Sequence, residues 1–498
     1  MEKYVVGTKK ILKKEQVLIS IFLTAILVLS SGSMVAFAKN NTIVVTPTGV
    51  DDTANIQAAL NSCASPNPPC TVQLVAGTYT ISSQIAVTGF QGRFVGMGQG
   101  QTIINALGNM PGTAVTPYWA QFPPANHWPS LFTFVDGSFT MAGMTITDRS
   151  LTPTTGWTDI TGGCSEVPCT ALTEAIKVSG LKANAAFDHI TIVGAAGDYG
   201  GYNIAEGIHI EGLELPVGWT NPEADTHMLT GTFSITNSVF TDTAGPVVNF
   251  LVNSNVAICG NVATTPDINN YFVLDVVTDI SNTNVLICRN QATVPLQFAV
   301  GAFQSFIKSG LLPSTVTIAN NNFQVSEGAN AVVLEDAGQA FFGTSPTLSA
   351  VVSGNTIQNS FDGGSAYYYS VIETDTLKST LISANTIIGG GAVGIYYNGQ
   401  PGTIIGNSIT GSDTGVWLDM ASGVHVVGNM IRNSVQYGIS LTSSNAAGSS
   451  ATTQSSNNYI IGNFVHNSGT DDLYYDGLGT GNHWCGSIYQ TSNFLPSC

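Results

Sequence analysis

Charge is what this sequence has least of. Asp, Glu, Lys and Arg make up 9% of its 498 residues, and only 14 are basic against 31 acidic. Lys3, Lys9, Lys10, Lys13 and Lys14 fall in the first 38 residues together with two glutamates. The remainder therefore holds nine basic and 29 acidic side chains, a formal charge of −20. Such a surface excludes nucleic acid as a natural partner, because phosphate backbones are held by clustered Lys and Arg. Anionic polysaccharides are repelled too, unless a divalent cation bridges the two. Helical periodicity is scarce, and after residue 38 no apolar stretch is long enough to span a bilayer. Cysteine is limited to eight residues, with no Cys-x-x-Cys pair and no Cys/His cluster of the kind that holds a metal.

What the chain does have is a repeat. Ser383-Ala384-Asn385-Thr386-Ile387, Ile405-Gly406-Asn407-Ser408-Ile409 and Val427-Gly428-Asn429-Met430-Ile431 place asparagines 22 residues apart. Each is followed by a second short strand: Gly394–Tyr397, Gly415–Leu418 and Gly438–Leu441. The Asn-x-apolar mark recurs at Asn237, Asn261, Asn290, Asn321, Asn355 and Asn463, with longer gaps that leave room for loops. Units this short cannot bury an apolar face alone and must stack on one another. Short β-branched strands separated by Gly and Asn specify a solenoid of strands, a parallel β-helix. Stacked coils put equivalent asparagines about 4.8 Å apart. Each asparagine is then expected at a turn, in left-handed geometry, passing amide hydrogen bonds along the stack.

Residues 1–38 read as a secretory signal. Lysines precede the apolar run Val17–Leu29, and Ala36-Phe37-Ala38 offers a cleavage site. The run is short for a membrane anchor, so the expectation is a secreted protein with no membrane contact after cleavage. In an exported chain the cysteines should pair. Proximity suggests Cys63–Cys70, Cys164–Cys169 and Cys485–Cys498. Cys259 and Cys288 each stand two residues before a register asparagine, which predicts a bond between adjacent coils. At the mature N-terminus, Asp51, Asp52 and Thr53 supply capping oxygens for a helix near 52–62, with Ile56, Ala59 and Leu60 on one face. Such a helix would cover the open end of the solenoid.

The order Asp51-Asp52-Thr53-Ala54-Asn55-Ile56-Gln57-Ala58-Ala59, then Ala76-Gly77-Thr78-Tyr79, then a Gly-rich strand ending Thr102-Ile103-Ile104 resembles the entry segment of the pectate-lyase-like superfamily. The resemblance implies an all-β, right-handed parallel β-helix with an N-terminal capping helix. The domain reading is a signal over 1–38, capping helix and first coils over 39–105, and the β-helix over 106–480. Insertions fall at 107–130, 150–170 and 212–229, and residues 481–498 form a C-terminal cap. For activity the resemblance implies little, since this fold hosts lyases, hydrolases, epimerases, esterases, phage tailspikes and non-catalytic surface proteins. Arg-x-Lys, Gly-His-Gly and Gln-Asp-Thr-Leu signatures are all absent. The basic residues, Lys177 among them, show no partner pattern. Two readings stand: a protein that binds, and as a lyase, hydrolase or epimerase processes, extracellular polysaccharide; or a non-catalytic extracellular surface protein.

Candidate site residues follow from the insertions and from strand alternation. Trp119, Trp128, Trp157 and Trp219 lie in the inserted loops, where an exposed Trp suits stacking on a sugar; the other reading is that each anchors its own loop. Between the loops, Asp198, Glu206, His209 and Glu211 form the densest mixture of His and carboxylate, the material of acid–base catalysis. His209 and Glu211 alternate with Ile208 and Ile210 and should face outward, where a plain solvated sheet is the competing reading. The same outward position reads down the stack as Glu211, Asn249, Asp275, Glu335, Glu373, Asn398, Asp419, Thr442 and Asp476. Tyr396, Trp417 and Tyr474 stand one outward position earlier. A run of acids repels itself; calcium, a bound glycan, or the intervening Asn and Thr would each relieve it.

Overall fold

The computed structural model describes residues 41–106, 130–147, 174–194, 206–212, 228–241, 243–264, 272–294, 298–304, 310–325, 330–337, 344–360, 370–390, 392–399, 401–443 and 454–494. Asp198, the four loop tryptophans, Cys164, Cys169, Cys498 and the signal lie outside these residues, and the three expected insertions do so almost entirely.

The described residues form 37 strands and one helix. Strands pair in parallel with their equivalents one coil on. They make three faces. The first runs from Thr42–Val45 to His483–Cys485, the second from Gly77–Ile81 to Phe464–His466, and the third from Ile85–Thr88 to Asp471–Tyr475. The long strands Ser130–Thr147 and Glu174–Val193 pass through all three in turn. Inside, β-branched side chains stack on their own kind. Ile258, Ile287, Ile318, Val352, Ile382, Ile404, Val426 and Ile460 form one column, each fully buried. Each such side chain is worth about 2 kcal/mol of burial. In the first coils Phe90, Phe94, Phe132, Phe134, Phe139 and Phe187 fill the interior instead.

The asparagine ladder runs from Asn261 to Asn463. The Oδ1 of each member accepts both the backbone N–H and the Nδ2 of the member before it, at 2.9–3.1 Å from Asn261 through Asn355. The pattern continues through Asn385, Asn407, Asn429 and Asn463 at 2.9–3.0 Å. Each Nδ2 also donates to a carbonyl of the preceding coil, as Asn407 does to Ile382 at 2.9 Å. Two expectations need correcting. The left-handed residue is the one before each asparagine: Gly260, Arg289, Asn320, Gly354, Ala384, Gly406, Gly428 and Gly462. Asn237 occupies that left-handed position (φ 51°) and is exposed, so it is no rung. Ser238 takes the ladder position, its N–H donating to Asn261 Oδ1 at 2.9 Å. Cys259 and Cys288 are in register on adjacent coils and are bonded, with Cα atoms 4.5 Å apart. Cys63 is bonded to Cys70.

The helix spans Thr53–Ser62 and sends Ile56, Ala59 and Leu60 into the core. Its N-terminal oxygens are used differently from the expectation. Asp52, at the N-cap, makes no capping bond; its carboxylate accepts from the N–H groups of Thr48 (2.8 Å) and Thr80 (3.1 Å). Asp51 Oδ1 instead accepts from Thr53 N–H at 3.0 Å. Gln57 reaches the strand Ile85–Thr88, accepting from Ala86 N–H at 3.0 Å and donating to Ala86 O at 2.8 Å. Unpaired strand-edge groups are thereby satisfied by side chains.

Candidate functional site

The outer side of the third face carries two parallel columns of positions, set by the registers of its strands. One reads Thr133, Lys177, His209, Val247, Val276, Gly301, Val333, Glu373, Tyr396, Trp417, Ser440, Tyr474. The other reads Glu211, Asn249, Thr278, Phe303, Glu335, Asp375, Asn398, Asp419, Thr442. The column expected from sequence was right at most positions and wrong at two. Thr278, not Asp275, aligns with Asn249, because the strand Phe272–Ser281 runs further than its pattern suggests. Glu373 stands in the Tyr396 and Trp417 column, and Asp375 holds the place given to it.

Between Glu335 and Thr442 the face is acidic, aromatic and partly open to solvent. Tyr396 and Trp417 meet edge to face, with ring centroids 5.3 Å apart. The Trp417 indole N–H donates to Thr442 Oγ1 at 2.8 Å, and that hydroxyl donates to Asp419 Oδ1 at 2.7 Å. The Tyr396 hydroxyl lies 3.4 Å from Asp419 Oδ2. Thus Tyr396, Trp417 and Asp419 form one hydrogen-bonded unit, with Asp419 itself buried. Two coils earlier, Glu373 accepts from Asn330 Nδ2 at 2.8 Å. Burial first, then the Asp375 charge, pushes Glu373 up to about 7, against the Asn330 hydrogen bond. Burial pushes Asp419 up to about 6, although the Thr442 and Tyr396 hydrogen bonds oppose it. Glu335 is raised by burial and by Asp375 and Asp336, and Asp375 by burial alone. Among the described residues neither column holds a Lys or Arg after Lys177. These carboxyls consequently keep protons where exposed ones would not.

The N-terminal part of the same face is covered. Glu174, Lys177 and His209 are fully buried, and Glu211 is 2% exposed. His209 Nδ1 lies 2.8 Å from Glu174 Oε1, and Lys177 Nζ lies 3.3 Å from Glu211 Oε2 and 3.9 Å from Glu174 Oε1. His209 and Glu211 alternate with the inward Ile208 and Ile210 as expected, yet form no solvated face. Glu206 lies on the same strand, but its side chain is outside the described residues. Glu174 and Lys177 escaped sequence reasoning. The signal was an unnoticed internal match: Glu174-Ala175-Ile176-Lys177 aligns with Glu206-Gly207-Ile208-His209, and the strands pair in that register. Among the described residues no three His, Cys, Asp or Glu side chains are grouped to hold a metal.

The class defined by fold and site is a right-handed parallel β-helix with an acidic, aromatic outer face. The family model described as right handed beta helix region matches residues 311–478, which include the open part of that face. No curated protein matches the chain. Among solved structures it is similar to the A-module of Azotobacter vinelandii mannuronan C-5 epimerase AlgE6, at 13% identity over 90% of this chain and 93% of that one, with a TM-score of 0.35. The Streptococcus pneumoniae surface protein and adhesin PfbA is 15% identical over 76% of this chain and 96% of its own, with a TM-score of 0.42. The catalytic unit of a thermostable GH87 alpha-1,3-glucanase from Streptomyces thermodiastaticus strain HF3-3 is 11% identical over 94% and 73%, with a TM-score of 0.45. No activity is carried to this chain from likenesses of that degree.

Proposed function

We propose that this is an exported protein that binds a neutral polysaccharide along the open part of its third face, from Glu335 to Tyr474. The observation that carries the reading is the unit Tyr396–Trp417–Asp419 beside Glu373 and Asp375, on successive strands about 4.8 Å apart. Aromatic edges and faces offer apolar contact for sugar rings, and carboxyls that hold protons near neutrality both donate to and accept from hydroxyls. With no cation beyond Lys177 among the described residues of these columns, a polyanion gains nothing there. We put binding here because Glu335, Glu373, Asp375, Tyr396 and Trp417 are partly exposed, whereas Glu174, Lys177, His209 and Glu211 are all enclosed. The loop tryptophans Trp119, Trp128, Trp157 and Trp219 are proposed as additional stacking surface.

The test is binding of wild type and Trp417→Ala to a glycan array, with calorimetry on the best ligand. Loss of the indole should weaken binding about tenfold, the effect of ~1.4 kcal/mol. Equal binding by both proteins, or none by either, would leave a structural surface protein as the better account. A processing reading has one observation in its favour, the Glu373 carboxyl near 7 two residues from Asp375 on the same strand. A proton donor works best near its operating pH. In that reading Glu373→Gln retains the glycan but yields no new reducing ends or unsaturated products. Wild-type protein that binds and releases neither product restricts the function to binding.

A further inference from the structure

The covered end of the third face holds a problem of charge. Glu174, Lys177, His209 and Glu211 are shut away from water. Two carboxylates and one ammonium leave an excess negative charge if the imidazole is neutral. A lone uncompensated charge at such depth is costly. Burial alone would raise Glu174, but Lys177, and after it a charged His209, hold it below the usual carboxylate range. Among the described residues here, the His209 ring is the group that can take up a proton to meet that excess.

The geometry around His209 meets it. Nδ1 lies 2.8 Å from Glu174 Oε1 and Nε2 lies 3.5 Å from Glu211 Oε2, so both ring nitrogens face carboxylates. A neutral imidazole has one N–H and no charge; an imidazolium donates to Glu174, has a second N–H for Asn249, and sets its charge beside Glu211. From the next coil Asn249 presents its amide, 3.2 Å from Nε2, and Thr278 contacts its other end at 2.7 Å. The two ends of an amide have the same shape, so turning Asn249 puts its oxygen toward Nε2–H and its NH2 toward the Thr278 hydroxyl. On the preceding coil Lys177 is in register with His209, and Thr133 behind it adds no charge. Glu206, on the His209 strand, is in register with Glu174.

We propose that His209 is an imidazolium at neutral pH and that the Glu174–His209–Glu211–Lys177 network is a proton-held lock joining the coils at Glu174–Val178 and Glu206–Glu211. The closed network keeps a proton that an opened imidazole gives up above about pH 6.5. The lock is therefore at full strength below that value and weakens as pH rises, until the enclosed ring itself loses its proton.

Nitrogen-15 NMR of the wild-type protein reads the ring directly, and assignment through the His209 backbone needs no variant. At about pH 8 both ring nitrogens should carry protons. Hydrogen exchange, corrected for the intrinsic rate, should show protection of the Ile208 and Ile210 amides falling about tenfold per pH unit above neutrality, one proton per opening. Protection of Ile404 and Val426, far along the stack, should hold. A singly protonated His209 ring at about pH 7, or protection at Ile208 and Ile210 that follows pH no more than Ile404 does, overturns the proposal. In His209→Gln, if it folds, the pH dependence of that protection should vanish; its persistence there counts against the proposal equally.

Discussion

At the scale of single residues, Glu373 is where stability and chemistry meet. Its carboxyl is raised from 4.5 to about 7 by burial and by the Asp375 charge. A carboxyl raised in the folded state favours folding while it is protonated, so its contribution is full below about pH 4.5 and declines up to about pH 7. Above that the fold carries a buried anion with like charges beside it. Glu373→Gln removes that charge and can keep the Asn330 contact. It should leave stability at about pH 4 unchanged and raise it at about pH 8, by on the order of 2–3 kcal/mol, since each factor of ten in proton affinity is worth ~1.4 kcal/mol. Thermal unfolding at the two pH values decides this; a variant no more stable than wild type at the higher pH would mean that water or a cation relieves the charge. Nothing in the residue order distinguishes this residue's column. A strand offers alternation only, and Glu373 and Asp375 both point outward, so choosing between them required the pairing register.

At the scale of elements, the ladder was legible because a fixed period exposes any residue that recurs with it. Asn385, Asn407 and Asn429 announce themselves 22 residues apart. Asn237 has the same neighbours in sequence yet sits one place early, where Asn tolerates left-handed backbone, a distinction that composition cannot make. The two environments separate in energy. Asn407→Ala leaves the buried N–H and Nδ2 of Asn385 and the carbonyl of Ile382 without their partner. Several buried orphan groups should cost about 3–5 kcal/mol. Asn237→Gly keeps the backbone freedom and loses one exposed hydrogen bond to Asp188, so it should cost less than about 1 kcal/mol. Denaturant unfolding of both compares them directly, and similar losses would remove the distinction drawn here. The Cys259–Cys288 bond, expected from the same register, closes a separation of 29 residues. By loop entropy it should contribute about 3–4 kcal/mol. Replacing both cysteines with Ala should lower the unfolding midpoint accordingly, and non-reducing peptide maps should recover the linked pair.

At the scale of the whole molecule, the sequence disclosed the architecture and half of the surface logic. Repeats, strand composition and turn residues all pointed to stacked parallel coils, and local and global preferences agree in such a fold. What stayed hidden was which outward positions are covered, because burial of an outer face depends on chain far away in sequence. His209 and Glu211 were expected to face outward, as acid–base candidates or as a plain solvated sheet, and are enclosed in an ion network, whereas Tyr396 and Trp417 remain partly open to solvent, with Asp419 beside them buried. Charge supplies the remaining test. The chain carries a formal −17 at neutral pH, and charges beyond about 8 Å are screened at physiological salt. A neutral glycan held by stacking and hydrogen bonds should bind equally from about 50 mM to about 500 mM salt. A uronic-acid polymer meets the acidic columns unfavourably, so it should bind only with calcium present, and chelation should release it. Titrating one neutral and one acidic polysaccharide at both salt levels, with and without calcium, separates the cases. Calcium-independent binding of the acidic polymer that strengthens at low salt would mean that a cationic surface outside these columns does the binding, and the open third face would lose its assigned role.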